Sequence, residues 1–161
     1  MIEVRFKKTH DNAVLPHQNN VVDDGTSDSG YDLYAVEDTL IPRSDSAPSV
    51  QGFPSEVRIG HAVVPVGIEV AYIQPGYWFK IEGRSGLGFK HGIQPHFGII
   101  DNQYRGDLGV KLYNLSDMDY VVKSGDKIAQ MVFYPLVEAE MSFTDEKHET
   151  SRGEKGFGSS D

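Results

Sequence analysis

Short runs of β-branched and aromatic residues recur along this chain, and Gly, Pro, Asn or Asp separates them roughly every eight to twelve residues. This rhythm is typical of the strands of an all-β sandwich, jelly roll or barrel, and no helical heptad pattern interrupts it. One short helix is predicted after Ser85, whose hydroxyl is placed to accept a hydrogen bond from the amide of Leu87 or Gly88. The predicted strands span residues 2–6, 31–35, 39–41, 62–64, 67–72, 77–82, 108–113, 120–122, 128–134 and 137–143.

The charge balance limits the ligands that the surface as a whole attracts. The chain has 161 residues, enough for one domain with a real core, and its 24 acidic against 15 basic side chains give a net charge of −9. Such a surface disfavours a general nucleic-acid or anionic-membrane binder, and no apolar run approaches the roughly 18 residues of a membrane span. We therefore expect no nucleic-acid and no membrane partner, and any phosphate site must be built locally.

The cysteine and histidine content excludes several kinds of site. The chain contains no cysteine, which excludes disulfide scaffolds, zinc ribbons and thiol nucleophiles. Its six histidines show no HExxH or paired metal-ligand spacing, so we expect no histidine metal site. The first residues lack the apolar run of a signal peptide, and we expect a cytoplasmic protein.

Two stretches depart from the strand rhythm. Residues 43–59 are rich in Ser and Pro and lack a periodic apolar face, so we expect a long surface loop. Residues 145–161 contain one large apolar side chain, Phe157, and this offers too little burial to offset the entropy of ordering the segment. The predicted organisation is a β core over residues 1–144 followed by a flexible C-terminal arm.

A glycine-rich segment at the predicted helix start combines a guanidinium with a hydroxyl. Residues 83–88 read Gly-Arg-Ser-Gly-Leu-Gly, which places Arg84, Ser85 and the Gly86 amide where a helix N-terminus binds phosphate. The alternative is a tight strand-to-helix turn with an exposed arginine. The segment is not a P-loop, because no GxxxxGKS or GxxxxGKT string occurs.

A second segment, residues 98–107, places Asp101 directly after two β-branched residues. A carboxylate at a strand end can be held in the geometry that deprotonates a water molecule, and Tyr104 offers a flat face for a sugar or base. The alternative is a plain hairpin in which Asp101 and Asn102 form the turn and Tyr104 packs across the strands.

Three further groups draw attention by their setting. Asp32 lies in a strand-like run, where a carboxylate needs partners, and Gln130 is the uncharged polar side chain of an apolar strand. Protein groups satisfy such side chains more often than a ligand does. Residues 152–160 combine Arg152, Phe157 and serines, which suits a lid over an anionic, ring-bearing ligand as well as it suits a disordered tail.

Together these five segments, in this order, resemble the five motifs of the trimeric dUTP pyrophosphatase (dUTPase) family. Each string alone is weak evidence, whereas five in register are specific. The chain departs from the family pattern at Gly83, where proline is usual, and in the length of the residue 43–59 loop. The matching strings are SGYDLYA at 29–35, RSGL at 84–87 with KHGI at 90–93, GIID at 98–101 with YRG at 104–106, GDKIAQ at 125–130, and RG at 152–153 with GFGS at 156–159.

The resemblance implies a distorted β jelly roll that assembles as a homotrimer with active sites shared between subunits. The implied activity is dUTP diphosphatase. Water attacks the α-phosphorus of dUTP and yields dUMP and pyrophosphate, which limits uracil incorporation into DNA and supplies dUMP for dTMP synthesis. The implied cofactor is Mg2+, held mainly by the triphosphate oxygens.

The motifs also imply roles for single residues. Asp101 matches the residue that orients and activates the attacking water, and Asp32 matches a position that supports the waters of the metal indirectly. The arm of one chain is expected to close over a neighbour's site. The other positions that match substrate-binding residues outside the uracil pocket are Arg84, Ser85, Gly86, Gln130, Arg152, Gly158 and Ser159.

Uracil selection in this family resembles base pairing. The resemblance implies that backbone groups of Gly98, Ile100 and Gly109 read the edge of the base and leave no space for the 5-methyl group of thymine. Tyr104 matches the residue that packs under the deoxyribose and excludes a 2′-hydroxyl, and Phe157 is expected to stack over the uracil.

Two other functions stay open at this point. A dCTP deaminase shares the fold and the trimer but needs an additional general-base glutamate, and both Asp101 and the complete arm favour pyrophosphate release instead. The second is a regulatory module in which dUTP controls a protein partner bound through residues 43–59. We expect that loop to be a tolerated insertion.

Overall fold

The computed structural model describes residues 1–46, 57–151 and 153–154. In these residues the chain forms two large antiparallel sheets, two small ones and a single seven-residue helix, α1 (Ser85–His91). The strands are β1 (Val4–Lys8), β2 (His17–Gln18), β3 (Tyr31–Tyr34), β4 (Thr39–Ile41), β5 (Asp45–Ser46), β6 (Val57–Arg58), β7 (Gly60–Ile73), β8 (Tyr77–Glu82), β9 (Ile93–Pro95), β10 (Gly98–Ile100), β11 (Asp107–Asn114), β12 (Tyr120–Val122) and β13 (Lys127–Pro135).

The two large sheets share one hydrophobic core. The four-stranded sheet has the strand order β1-β7-β11-β9, and the five-stranded sheet has the order β10-β8-β13-β3-β2. Side chains alternate between buried and solvent-facing positions along β11, so each strand contributes every second residue to the core. The predicted all-β jelly roll with one short helix is confirmed. The largest side chains buried between the sheets are Phe79, Leu33, Ile41, Ile73, Ile93, Leu112, Ile128 and Met131.

Strand β7 is one 14-residue strand where the sequence predicts two. The two predicted strands are separated by Pro65 and Val66, and Gly67, the first residue of the second, has a left-handed φ of 67°. The strand nevertheless continues, because a bulge absorbs the irregularity: the register of β11 against β7 shifts between Asp107 and Gly109. The carbonyl of Gly67 accepts a hydrogen bond from the amide of Thr9 at 2.9 Å, which holds the chain after β1 beside the bulge.

Residues 137–143 do not form the predicted strand, so this prediction is wrong. The amide of Leu136 donates to the carbonyl of Gly76 at 2.7 Å, and residues 137–143 then lie exposed without regular structure. β-branched and aromatic residues favour a strand only when a neighbouring strand accepts their backbone hydrogen bonds. The described part of the chain places no strand beside these residues.

Helix α1 begins at Ser85 and not after it, so the predicted cap by the Ser85 hydroxyl is wrong. Arg84 occupies the N-cap position with an extended backbone (φ −100°, ψ 131°), and its side chain makes no capping hydrogen bond. The helix ends at Gly92, whose φ of 65° lets its amide reach the carbonyls of Gly88 and Leu87. Within the described residues no helix has the length and apolar composition to cross a membrane.

The two ends of the predicted loop at residues 43–59 pair with each other as β5 and β6, with Asp45 opposite Arg58. The sequence does not predict this pairing. Residues 47–56, the middle of the predicted loop, lie outside the described residues. Strands β2 and β9 are likewise absent from the prediction, because they are only two or three residues long and carry polar residues or proline, and β10 is predicted only as the strand end before Asp101.

Asn114 provides a test of the packing between β11 and β4. Its buried side chain donates to the carbonyls of Ile41 and Met118 and accepts from the amide and hydroxyl of Ser116 at 3.0 and 2.7 Å. Asn114→Ala should lower the free energy of unfolding by about 3 kcal/mol, because it leaves several buried polar groups unpaired. Chemical denaturation measures this loss.

The matched control is Asn12→Ala. The Asn12 side chain donates one hydrogen bond, to the carbonyl of Val36 at 3.1 Å, so its loss should cost about 1 kcal/mol. Equal denaturation midpoints for the two variants would show that the Asn114 network does not hold β11 to β4.

Candidate functional site

Two groups of predicted site residues lie at the two ends of β8. Arg84 and Ser85 follow the C-terminal end of this strand and open helix α1. The hairpin that carries Asp101 meets the N-terminal end, where the Asn102 side chain reaches the carbonyl of Tyr77 at 2.9 Å. The two groups are therefore described separately, as the cradle around Arg84 and the hairpin of residues 98–107.

The cradle opens into two adjoining clefts. Arg84, Ser85 and Gln130 line both of them. The first cleft has a volume of about 520 Å³ and reaches Phe89 and Gln94. The second, of about 470 Å³, reaches the segment before β3 and is lined additionally by Asn19, Ser27, Asp28, Ser29, Gly30 and Asp32.

Asp32 is the buried charge of the cradle, with 2% of its surface exposed. One oxygen, Oδ1, pairs with Nη1 of Arg84. The other, Oδ2, accepts from Nζ of Lys127 at 2.8 Å and from Nδ2 of Asn19 at 2.7 Å. A buried carboxylate is stable only when it is paired, and here protein groups engage both oxygens.

Gln130 connects three strands of the five-stranded sheet. On β13 it lies opposite Asp32 of β3 and Glu82 of β8, and its Nε2 donates to the carbonyl of Gly83 at 2.9 Å. Gly30 lies directly beneath it, because a Cβ at residue 30 would stand 1.9 Å from Oε1 of Gln130. The predicted need of Gln130 for hydrogen-bond partners is met in part by Gly83, and its side chain still faces both clefts.

Gly86 and Phe89 give the cradle its open side. A Cβ at Gly86 would meet nothing within 4 Å, so the first turn of α1 leaves its backbone accessible. The Phe89 side chain is fully exposed at the rim of the first cleft. On the neighbouring strand, Glu82 pairs with Lys80 at 2.9 Å, and this hydrogen bond raises the pKa of Lys80 above its ordinary value.

In the hairpin, Asp101 lies immediately after β10 and is exposed. Strand β10 pairs with β8, with Gly98 opposite Ile81 and Ile100 opposite Phe79. The carbonyl of Asp101 accepts from the amide of Tyr104 at 3.0 Å, which closes the turn. The predicted position of this carboxylate, at a strand end followed by a turn, is therefore confirmed as local geometry.

Asn102 holds the hairpin against the body of the protein. Its Nδ2 donates to the carbonyls of Ile73, Gln74 and Tyr77 at 3.2, 2.9 and 2.9 Å. The sequence predicts Asn102 only as a turn-forming residue. No local signal indicates its longer-range role, because the three carbonyls lie 25 to 29 residues earlier in the chain.

Tyr104 and Arg105 are both turned onto their own hairpin. The Tyr104 hydroxyl donates to the carbonyl of Asp107 at 2.7 Å, and its ring covers Gly106, where a Cβ would stand 2.5 Å from the hydroxyl oxygen. Nη1 of Arg105 donates to the carbonyls of Asn102 and Tyr104. These contacts stiffen the segment between Asp101 and β11.

Gly109 lies on β11 opposite Pro65, beyond the bulge. A Cβ at this position would stand 3.0 Å from Cγ1 of Val63, so the backbone of β11 is closely approached there. The arm residues that the sequence places at the site, Arg152, Phe157, Gly158 and Ser159, lie outside the described residues.

Asp101 lies far from the cradle of its own chain, although Gly98, at the start of the hairpin, is opposite Ile81 near the cradle end of β8. Tyr77 and Glu82, at the two ends of β8, are five residues apart in an extended strand, which corresponds to about 17 Å. Asp101 follows Ile100, which is opposite Phe79 near the first end, and Arg84 lies beyond the second end. The two side chains are therefore well separated along β8 in one chain.

Comparisons with known proteins agree on one family. A family model described as dUTPase matches residues 21–161. A deoxyuridine 5′-triphosphate nucleotidohydrolase of Oryza sativa subsp. japonica is 36% identical over 156 residues, covering 97% of this chain and 79% of the relative. The enzyme of that name from Paramecium bursaria Chlorella virus 1 is 33% identical and covers 99% of this chain and 98% of its own.

Solved structures share the fold. The dUTPase of Staphylococcus bacteriophage 80alpha, solved with dUPNHPP, superposes with a TM-score of 0.76 at 24% identity, covering 99% of this chain and 98% of the phage chain. A variant of the dUTPase of phage phi11 of S. aureus, described with a structural Mg(II) ion, superposes with a TM-score of 0.69 at 23% identity. It covers 91% of this chain and 99% of the phage chain.

Gly30 tests the geometry of the cradle. Gly30→Ala should displace the Gln130 side chain from Gly83, because the added methyl group would overlap Oε1. If Gln130 contributes a hydrogen bond to a bound phosphate chain, affinity for inorganic tripolyphosphate should fall about tenfold. Isothermal titration calorimetry measures this affinity.

The control is the same substitution in a Gln130→Ala background. There the methyl group meets no amide, so Gly30→Ala should change the affinity little. An equal loss in both backgrounds would mean that Gly30 acts on the backbone and not through Gln130.

Proposed function

The chain belongs to the dUTPase family, and we infer that it is a dUTP diphosphatase, which hydrolyses dUTP to dUMP and pyrophosphate. The observation that carries this conclusion is the extent of the family match. It spans residues 21–161 and so includes all five motifs, from the strand with Asp32 to the arm with Arg152. The nearly all-β fold, shared with solved dUTPases, supports the same conclusion.

We propose that the cradle binds the phosphate chain. Arg84 supplies a guanidinium and Ser85 a hydroxyl at the clefts that Gln130 also lines, and the first turn of α1 begins at Ser85 without a side-chain cap. Charged hydrogen bonds of an arginine to phosphate oxygens are among the stronger polar contacts in proteins. They allow a chain of net charge −9 to bind a polyanion through local positive charge.

We propose that Asp101 activates the nucleophile. Its carboxylate accepts a proton from a water molecule while the water oxygen forms a bond to the α-phosphorus. The bond from the α-phosphorus to the bridging oxygen breaks, and pyrophosphate leaves with the electron pair. General-base assistance of this kind is worth about 10²- to 10⁴-fold, so positioning and charge neutralisation supply the larger share of the rate enhancement.

The donor set of the chain fits a magnesium ion carried by the substrate. Among the described residues, no group of three or more His, Asp or Glu side chains is arranged to hold a metal ion. Bound to the triphosphate, Mg2+ neutralises charge that develops on the leaving group. Asp32 supports the ion only indirectly in this proposal, since Arg84, Lys127 and Asn19 engage its oxygens.

We propose that the hairpin selects the base and the sugar. Backbone groups of Gly98 and Ile100, together with Gly109 on β11, read the uracil edge and leave no room for a 5-methyl group. A cytosine amino group would present a donor to a donor, which costs about 1 to 3 kcal/mol. The ring of Tyr104, which its bond to Asp107 holds against the hairpin, excludes a 2′-hydroxyl.

A second copy of the chain completes the site in this proposal. The roughly 17 Å between the ends of β8 separates Asp101 from Arg84, yet both must contact one triphosphate. When the hairpin of each copy contacts the cradle of the next, the contact is head-to-tail, and it closes into a ring if the rotation between copies divides a full turn. The trimer that the family resemblance implies satisfies this requirement. The arm with Arg152, Phe157, Gly158 and Ser159 would then close over a neighbour's site in the cytoplasm, where dUTP is consumed.

Product analysis tests the function directly. With Mg2+, the protein should release pyrophosphate from dUTP but not from dCTP, dTTP or UTP. Asp101→Asn should lower kcat by at least about 100-fold with little change in KM, because the variant keeps the binding groups but loses the proton acceptor. Asp107→Asn, an exposed aspartate in the same hairpin, serves as the matched control and should retain normal turnover.

Other product patterns would support the deaminase or the regulatory module instead. Ammonia release from dCTP would identify a deaminase. Tight dUTP binding without turnover would favour a regulatory module with a protein partner at residues 43–59. Normal turnover of Asp101→Asn would remove Asp101 from the mechanism.

Complementation tests the shared site. Asp101→Asn and Arg84→Ala should each be inactive alone. Co-expressed, they should regain activity, because about a third of the sites in a mixed trimer then combine an intact Asp101 with an intact Arg84 from different chains. Pyrophosphate release by doubly tagged, purified mixed oligomers measures the recovery.

The control mixes Asp101→Asn with Asp101→Ala. Every site then lacks the Asp101 carboxylate, so activity should stay low. A failure of the first mixture to recover activity, with mixed oligomers present, would mean that one chain builds the whole site.

A further inference from the structure

Two residues outside the assigned roles hold the buried carboxylate of the cradle. The motifs assign functions to Asp32 and Arg84 but none to Asn19 or Lys127. Asn19 lies before residue 21, where the family match begins. Its position results from β2, which pairs with β3 so that His17 lies opposite Asp32.

The two oxygens of the Asp32 carboxylate have different partners. Oδ2 accepts from Nζ of Lys127 at 2.8 Å and from Nδ2 of Asn19 at 2.7 Å, and Lys127 also donates to Oδ1 of Asn19 at 3.1 Å. Oδ1 is left to Arg84. Lys127 and Asn19 thus form a closed set of hydrogen bonds with one oxygen, and Arg84 alone pairs with the other.

The separate partners of the two oxygens become important when Arg84 moves away from Oδ1 of Asp32. Asp32 is 2% exposed, and a buried carboxylate without a counter-charge is strongly disfavoured. If Arg84 were the only cation beside Asp32, moving its guanidinium to a phosphate would leave the buried carboxylate without a counter-charge. Lys127 keeps the carboxylate paired, and Asn19 keeps Oδ2 hydrogen-bonded.

We propose that Lys127 and Asn19 are positioning residues that hold Asp32 through Oδ2 and so allow Arg84 to exchange between Oδ1 of Asp32 and the triphosphate. The proposal rests on the proposed dUTP diphosphatase function. Without either residue, Asp32 holds Arg84 more firmly, and the substrate must compete with a stronger ion pair. The effect falls on binding of the phosphate chain and leaves the nucleoside contacts unchanged.

The experiment compares Asn19→Ala and Lys127→Met with the wild-type enzyme. Each should raise the KM for dUTP about tenfold and change kcat less than about threefold, since each substitution removes a contact to Oδ2 of Asp32 and the bond between Lys127 and Asn19. The inhibition constant of deoxyuridine, which has no phosphate, should not change. Lys127→Arg keeps the cation and should restore the KM.

Two control variants separate this role from general loosening. Gln18→Ala removes the side-chain bonds of Gln18 to Ser27 and to the Asp28 carbonyl, which hold the same segment without touching Asp32. Lys123→Met removes an exposed lysine that pairs with Asp38. Both should keep a normal KM, and thermal unfolding checks that all variants are folded.

The outcomes are distinguishable from those of the proposed function. Wild-type protein that releases no pyrophosphate from dUTP contradicts the function itself. An active wild type overturns the present proposal if Asn19→Ala and Lys127→Met match the wild-type KM. An equal rise in the KM of Gln18→Ala, or an equal rise in the deoxyuridine inhibition constant, also overturns it, because both indicate a structural effect.

Discussion

The hydrogen-bonded pairing of β8 with β10 and β13 determines where Asp101 and Gln130 lie relative to Arg84. Pairing with β10 fixes the hairpin of Asp101 at one end of the strand, and pairing with β13 places Gln130 at the other. An extended strand cannot shorten, so the two ends stay about 17 Å apart whatever the side chains do. Assembly of several chains is therefore a requirement of the chemistry in the proposed function.

Charge is the second constraint on the molecule. A chain with net charge −9 must gather positive charge where it binds a triphosphate. It does so around a buried carboxylate: Asp32 draws Arg84 and Lys127 together at the edge of the clefts, and its own charge moderates their repulsion. The same carboxylate would compete with the substrate for Arg84, which is why its other contacts matter for binding.

The sequence-based predictions are correct where local interactions define a strand and wrong where a strand depends on a partner distant in sequence. The strands at residues 39–41, 77–82 and 120–122 match to the residue, because flanking turn residues and apolar alternation define them locally. Residues 137–143 have a similar composition but no neighbouring strand in the described part of the chain. The two strands predicted around Pro65 are one, because pairing on both sides carries β7 through its bulge.

Local patterns in the sequence predict the class of fold and the chemical groups of the candidate site, because strand rhythm and the five motifs involve residues that are close in the chain. Which of these groups lie together depends on the folded arrangement of the strands. It separates Asp101 from Arg84 along β8 and joins Asn19 to Lys127 across 108 residues of sequence. It also shows that Asn102, predicted as a turn-forming residue, holds the hairpin through hydrogen bonds to the carbonyls of Ile73 and Gln74. Contacts of this kind depend on strand order and register, which the packing of the whole core selects and no local pattern contains.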